Sequence, residues 1–211
     1  KKKYLYTKNE KNFGNIVNYY IAQTHYKKQK YEELIAIASE LSNSSKSKNS
    51  SELNKMLGDA YYKLGRYSEA IPYLEKSLQE PNVATPQDYY LLGFTLLEEK
   101  QYDRAKTYLE KTGDNNDSLS QNALYHLGIC HLQLNDKIAA KSMFKEAYKS
   151  DFDKKIKEKA LLNYAKLSCE TNSAFNESIK AFQTYIELFP KSKNANEAKE
   201  YLAQLYGNTQ N

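Results

Sequence analysis

The chain has no tryptophan, two cysteines, four prolines and seven glycines in 211 residues. Cys130 and Cys169 are too few for a disulfide-stapled scaffold. Scarce proline and glycine leave long helices permitted almost everywhere. No apolar run approaches the roughly eighteen residues of a membrane-spanning helix. An excess of one charge is also lacking: the net charge is +5, and Lys1, Lys2 and Lys3 carry three of those five charges. Elsewhere lysine and glutamate are interleaved, so no phosphate-binding stripe forms and a nucleic-acid partner is not expected. There is no signal-peptide pattern, and the chain opens on lysine; a processed or excised piece is expected, its targeting segment removed. What is abundant is tyrosine, with twenty residues. Tyrosine supplies apolar area while its hydroxyl seeks water or a partner, which suits half-buried surfaces.

Gly58, Gly93 and Gly128 recur at intervals of 35 residues, each followed twelve residues later by Ala70, Ala105 or Ala140. Four residues further on stand Leu74, Leu109 and Phe144. Weaker copies flank these: Ala22 with Tyr31, Leu34 and Ala38 upstream, and Ala165 with Ser178, Phe182 and Tyr185 downstream, the latter with an extra residue in its turn. "NEAKEYLAQLYG" matches only the first helix of a unit. The pattern predicts two antiparallel helices per unit, with Gly58 and Ala70 facing each other so that the backbones approach closely. Leu57, Tyr61 and Leu74 fill the space around that contact at helical spacing. Gly65 is placed for a left-handed turn, and Ser68 or Asp103 for starting a second helix.

The Leu-Gly pairs at 57–58, 92–93 and 127–128, the alanines after them and Pro190 resemble the signature of the tetratricopeptide repeat. The opening tryptophan of that signature is replaced by Asn54, Tyr89, Leu124 and Leu161. The resemblance covers residues 15 to 206. It implies an all-α fold: an α-solenoid, a right-handed superhelix of about five antiparallel helix pairs plus a C-terminal helix. The expected organisation is a basic extension over 1–14 and one domain over 15–211. Its repeats run at about 15–50, 51–85, 86–120, 121–157 and 158–193, with a terminal helix over 194–206. The polar stretches "SNSSKSKNSS" and "EKTGDNNDS" read as loops within it.

In this family the first helices line a groove, and positions 2, 5, 9 and 12 of each unit share the helix face that looks into it. Those positions hold Tyr19, Gln23 and Tyr26; Lys55, Asp59 and Tyr62; Tyr90, Phe94 and Leu97; Tyr125, Ile129 and Leu132; and Leu162, Lys166 and Cys169. An aromatic and aliphatic floor with Lys55, Asp59 and Lys166 at its sides fits a peptide or partner protein. The alternative is that the tyrosines pack against the next repeat or a chain terminus. Among these positions only Lys55 matches the carboxylate clamp of chaperone-binding relatives, so that clamp is not expected.

His126 and Cys130 share a helix face while His131 points about 140° away, which is packing rather than a zinc site. No phosphate loop or activated nucleophile is present, and neither catalysis nor a cofactor is expected. "AFQTYIELFPKSKNANEAKEYLAQLYG" is further similar to repeats in outer-membrane assembly lipoproteins, the Tol-Pal coordinator and Bacteroidetes envelope proteins. That resemblance implies a periplasmic or outer-membrane-associated scaffold, a cytoplasmic one being the alternative. Tyr201, Leu205 and Tyr206 leave apolar surface on the last helix, so further repeats or self-association through terminal repeats are also expected.

Overall fold

The structure is a computed structural model describing residues 17–41, 50–79, 84–171 and 175–207. Described residues form eleven helices and no strand: α1 (17–27), α2 (Tyr31–Leu41), α3 (Ser50–Lys63), α4 (Tyr67–Ser77), α5 (Pro86–Glu98), α6 (Tyr102–Glu110), α7 (Ser118–Gln133), α8 (Lys137–Lys149), α9 (Lys154–Glu170), α10 (Phe175–Leu188) and α11 (Ala195–Gly207). Two compact units are present, Lys1–Lys100 and Gln101–Asn211. In the first, α2 packs on α3, α3 on α4 and α4 on α5. In the second, α6 through α11 pack each on the next, and α7 also meets α9. The basic extension over 1–14, most of the serine-rich stretch and the extra turn residue before Ser178 lie outside the described residues. Ser50 and Ser51, expected in a loop, begin α3 instead.

Three residues join α1 to α2, α3 to α4 and α7 to α8, and turn the second helix of each pair back along the first. Side chains of the two helices meet across the pair: Tyr61 stacks on Tyr73 with ring centroids 5.4 Å apart. The turn requires one residue at positive φ, and Gly65 adopts +71° there. Lys100 at 58° and Asn135 at 62° take the same place in the next copies, so the register imposes the conformation even where no glycine relieves it.

At Gly58 and Gly128 the space beside the glycine is filled by the large side chain four residues beyond the alanine. A Cβ on Gly58 would lie 2.5 Å from Leu74 Cδ2, and one on Gly128 would lie 2.6 Å from Phe144 Cε1. Leu74 and Phe144 are buried at 3% and 0% exposure, so the glycine provides the space into which each inserts. Helix starts also differ from expectation. Arg66 and Gln101 precede α4 and α6 without a side-chain cap, and Ser68 and Asp103 lie inside the first turns. Capping falls to Thr85, Asp117, Asp136 and Asp153, whose side chains accept backbone N–H groups of α5, α7, α8 and α9.

A second recurring position emerges only in three dimensions. Ser51, Gln121 and Glu158 stand seven residues before Gly58, Gly128 and Ala165. Ser51 Oγ donates to the Ser77 carbonyl at 2.9 Å. Gln121 Nε2 donates to the carbonyls of Ser150 at 2.8 Å and Ala147 at 3.1 Å, while its Oε1 accepts the Asp153 N–H at 2.7 Å. Glu158 accepts from Ser192 Oγ at 2.5 Å and Tyr185 Oη at 3.1 Å. Each side chain holds the strand of chain that leaves a repeat's second helix, satisfying backbone or hydroxyl groups that water reaches poorly.

Candidate partner-binding face

In the first unit the residues expected to line a groove come from α1, α3 and α5. Tyr19 does not contribute to an open surface. It is buried in the core with Leu34 and Leu57, and burial, with Glu52 beside it, pushes its phenol up to about 12. Leu97 is likewise buried. Gln23, Tyr26 and Lys55 instead line a cavity of about 440 Å³ together with Met56 and Asp88. Tyr26 is half-buried, and its hydroxyl donates to Asp59 Oδ2 at 2.8 Å, tying α1 to α3. Burial and then that carboxylate hold the Tyr26 phenol well above its ordinary value.

Asp88 was not visible as a site residue in the sequence. It closes a capping box with Thr85, whose N–H and hydroxyl donate to Oδ2 at 2.9 and 2.7 Å. Its other oxygen lies 2.6 Å from Lys55 Nζ. Burial would raise this carboxyl, but the Lys55 ammonium and the two Thr85 donors outweigh it and hold Asp88 below the usual carboxylate range. The signal that could have found it was the Thr85-Pro86-Gln87-Asp88 run, a helix start with an acidic third residue. Beyond the Lys55–Asp88 pair the face turns aromatic. Tyr62 meets Phe94 edge-on at 6.0 Å, and Phe94 stacks with Tyr90 at 6.2 Å, all three half-buried.

In the second unit the expected groove residues are used mainly within the unit. Tyr125 packs on Phe144 at 5.6 Å and lies under Lys159, whose Nζ is 6.0 Å from the ring centre. Ile129 and Leu132 pack against the core, and Leu162 is buried within it. Lys166 Nζ lies 2.7 Å from Glu197 Oε1 and 5.6 Å from the Tyr201 ring, both on α11. It therefore anchors the final helix. Tyr201 stacks on Phe182 at 5.2 Å, whereas Tyr206 remains 43% exposed.

His126 and Cys130 sit on α7 as packing residues. Burial lowers the His126 imidazole to about 4 and raises the Cys130 thiol to about 12. His131 Nδ1 lies 3.3 Å from Asp136 Oδ2. Among the described residues no group of three or more His, Cys, Asp or Glu side chains is placed to hold a metal, and no helix is long and apolar enough to cross a membrane.

Comparison with known proteins agrees with this architecture. Residues 51–80 match the tetratricopeptide repeat family model, and residues 70–147 match that of anaphase-promoting complex, cyclosome, subunit 3. No curated protein sequence matches the chain. Among solved structures, YrrB, described as a TPR protein with an unusual peptide-binding site, is 20% identical, with 85% of this chain and 88% of that one covered and a TM-score of 0.68. MamA from Desulfovibrio magneticus RS-1 is 21% identical over 85% of this chain and 97% of that one, with a TM-score of 0.65. MamA AMB-1 is 19% identical over 86% and 94%, with a TM-score of 0.68. At such identities these likenesses speak for the fold alone. With the 35-residue period and the family match at residues 51–80, they describe a chain that is similar in fold to tetratricopeptide-repeat proteins.

Proposed function

We propose that the chain is a non-catalytic protein-interaction module that holds a peptide or partner protein on the face built from α1, α3 and α5. The observation that carries this reading is that α3 and α5 supply both the cavity walls at Lys55, Met56 and Asp88 and the half-buried rings of Tyr62, Phe94 and Tyr90. Aromatic side chains next to a small cavity with one ion pair at its wall provide apolar area and polar orientation together. The peptide-binding site named for YrrB, a protein of the same fold, supports the same use here. The work is placed in a bacterial cell envelope, a reading supported by the resemblance of residues 181–207 to envelope repeats.

The test is affinity capture from bacterial envelope extract with the wild-type chain and with Tyr62→Ala/Phe94→Ala. Loss of specific partners from the variant is expected. Equal retention of every partner would remove this face from consideration. Fractionation of source cells tests the location, and recovery in the cytosolic fraction alone would refute the envelope assignment.

A further inference from the structure

A second surface, within residues 101–211, lies between α8, α9 and α10. Lys137, Lys141, Lys145 and Lys149 recur at four-residue spacing, which places them on one side of α8. Lys137 pairs with Glu170 and Lys149 with Glu146 at the two ends of this row. The two central lysines share one carboxylate, with Lys141 Nζ 3.5 Å from Glu177 Oε2 and Lys145 Nζ 3.5 Å from Glu177 Oε1. Glu177 also accepts the Tyr164 hydroxyl at 2.6 Å. A cavity of about 430 Å³ opens beside this cluster, lined among others by Lys145, Tyr148, Tyr164, Asn176, Glu177 and Lys180. Lys180 makes no ion pair with any described residue.

Two ammonium groups thus share one carboxylate and Lys180 lines the same cavity, whose floor holds two tyrosine rings with centres 5.2 Å apart. Tyr164 stands where the earlier repeats have Leu57, Leu92 and Leu127, so the polar end of this floor is particular to this repeat. We propose that this cavity docks an acidic segment of a partner protein, a carboxylate side chain lying between Lys145 and Lys180 and an adjacent apolar side chain lying against Tyr148. Charge complementarity sets the sign of the partner. The size of the cavity, room for one or two side chains, favours an acidic peptide over a phosphate backbone, which requires a longer cationic track.

The probe is a fluorescein-labelled octapeptide alternating glutamate and leucine, titrated with the full chain and followed by anisotropy. A lysine-leucine octapeptide and a single-stranded oligothymidylate serve as comparators. Saturable binding of the acidic peptide is expected, weakened at least ~10-fold by Lys145→Glu/Lys180→Glu. Glu177→Gln keeps an acceptor for Tyr164 but removes the internal competitor, so it should tighten binding by about threefold. Phe94→Ala should leave it unchanged, which separates this site from the α1, α3 and α5 face. Circular dichroism establishes that each variant is folded. The proposal is overturned by indifference to the lysine charge reversals, by failure of Glu177→Gln to tighten binding, or by oligothymidylate binding more tightly than the acidic peptide.

Discussion

In both units a tyrosine hydroxyl ends on a carboxylate, but the carboxylates keep different company. Tyr26 donates to Asp59 across α1 and α3, and nearby Lys55 is matched to Asp88. Tyr164 donates to Glu177 across α9 and α10, and Lys141 and Lys145 both crowd onto that same acid. The interiors differ in the same register. Met56, Leu74 and Ser51 of residues 1–100 correspond to His126, Phe144 and Gln121 of residues 101–211. One backbone repeat therefore accommodates an aliphatic and an aromatic filling, provided the glycine opposite leaves room. It also accommodates short and long polar clamps on the chain leaving the second helix.

The deepest difference is the filling opposite the glycine. Phe144→Ala should lower the unfolding free energy by about 3–5 kcal/mol, measured by urea denaturation. Phe144→Leu, which copies Leu74, should cost only about 1 kcal/mol. Equal losses from the two variants would break the equivalence of the two pockets.

His126 gives the next largest effect, because it occupies the position of buried Met56. An ordinary imidazole takes a proton near pH 6.5, whereas burial holds this one neutral down to about 4. Its contribution is complete above pH 6.5 and is lost as pH falls through that window, by about 3 kcal/mol. His126→Met should flatten thermal stability between pH 6.5 and 4; an unchanged acid slope would show that other groups carry it.

The polar clamps should follow. Gln121→Leu leaves the Asp153 N–H without its acceptor and should cost about 2 kcal/mol, against about 1 kcal/mol for Ser51→Ala, which loses a single bond. A reversed order, seen in melting temperatures, would mean that the longer clamp is not the stronger one. The smallest change concerns the turns. Lys100→Gly relieves a positive φ and should stabilise by about 1 kcal/mol, while Gly65→Lys should lose a similar amount.

Much of the fold was legible because small and large residues must alternate where helices touch, and that need repeats with the structural unit. Gly58, Gly128, Leu74 and Phe144 could be placed at a helix contact from spacing alone. Which side chain comes nearest the glycine could not, since Ala70 and Leu74 lie on the same side of α4 and only coordinates show that Leu74 does. The site was less legible. Tyr19 and Tyr26 sit on one side of α1, yet the first is buried and the second reaches Asp59. Hydrophobic spacing identifies a face but does not say how deeply a neighbouring helix covers it.

The sequence by itself determined an all-helical repeat of period 35, its turns and its packing residues, because backbone propensity and periodic burial are local or nearly so. Only the tertiary structure decided that Asp88 serves both as a helix cap and as the counterion of Lys55, that Gln121 clasps the start of α9, and that two lysines of α8 share Glu177. These are pairings of side chains with groups up to 36 residues away. Their energies depend on distance and on exclusion of water, which no linear spacing encodes.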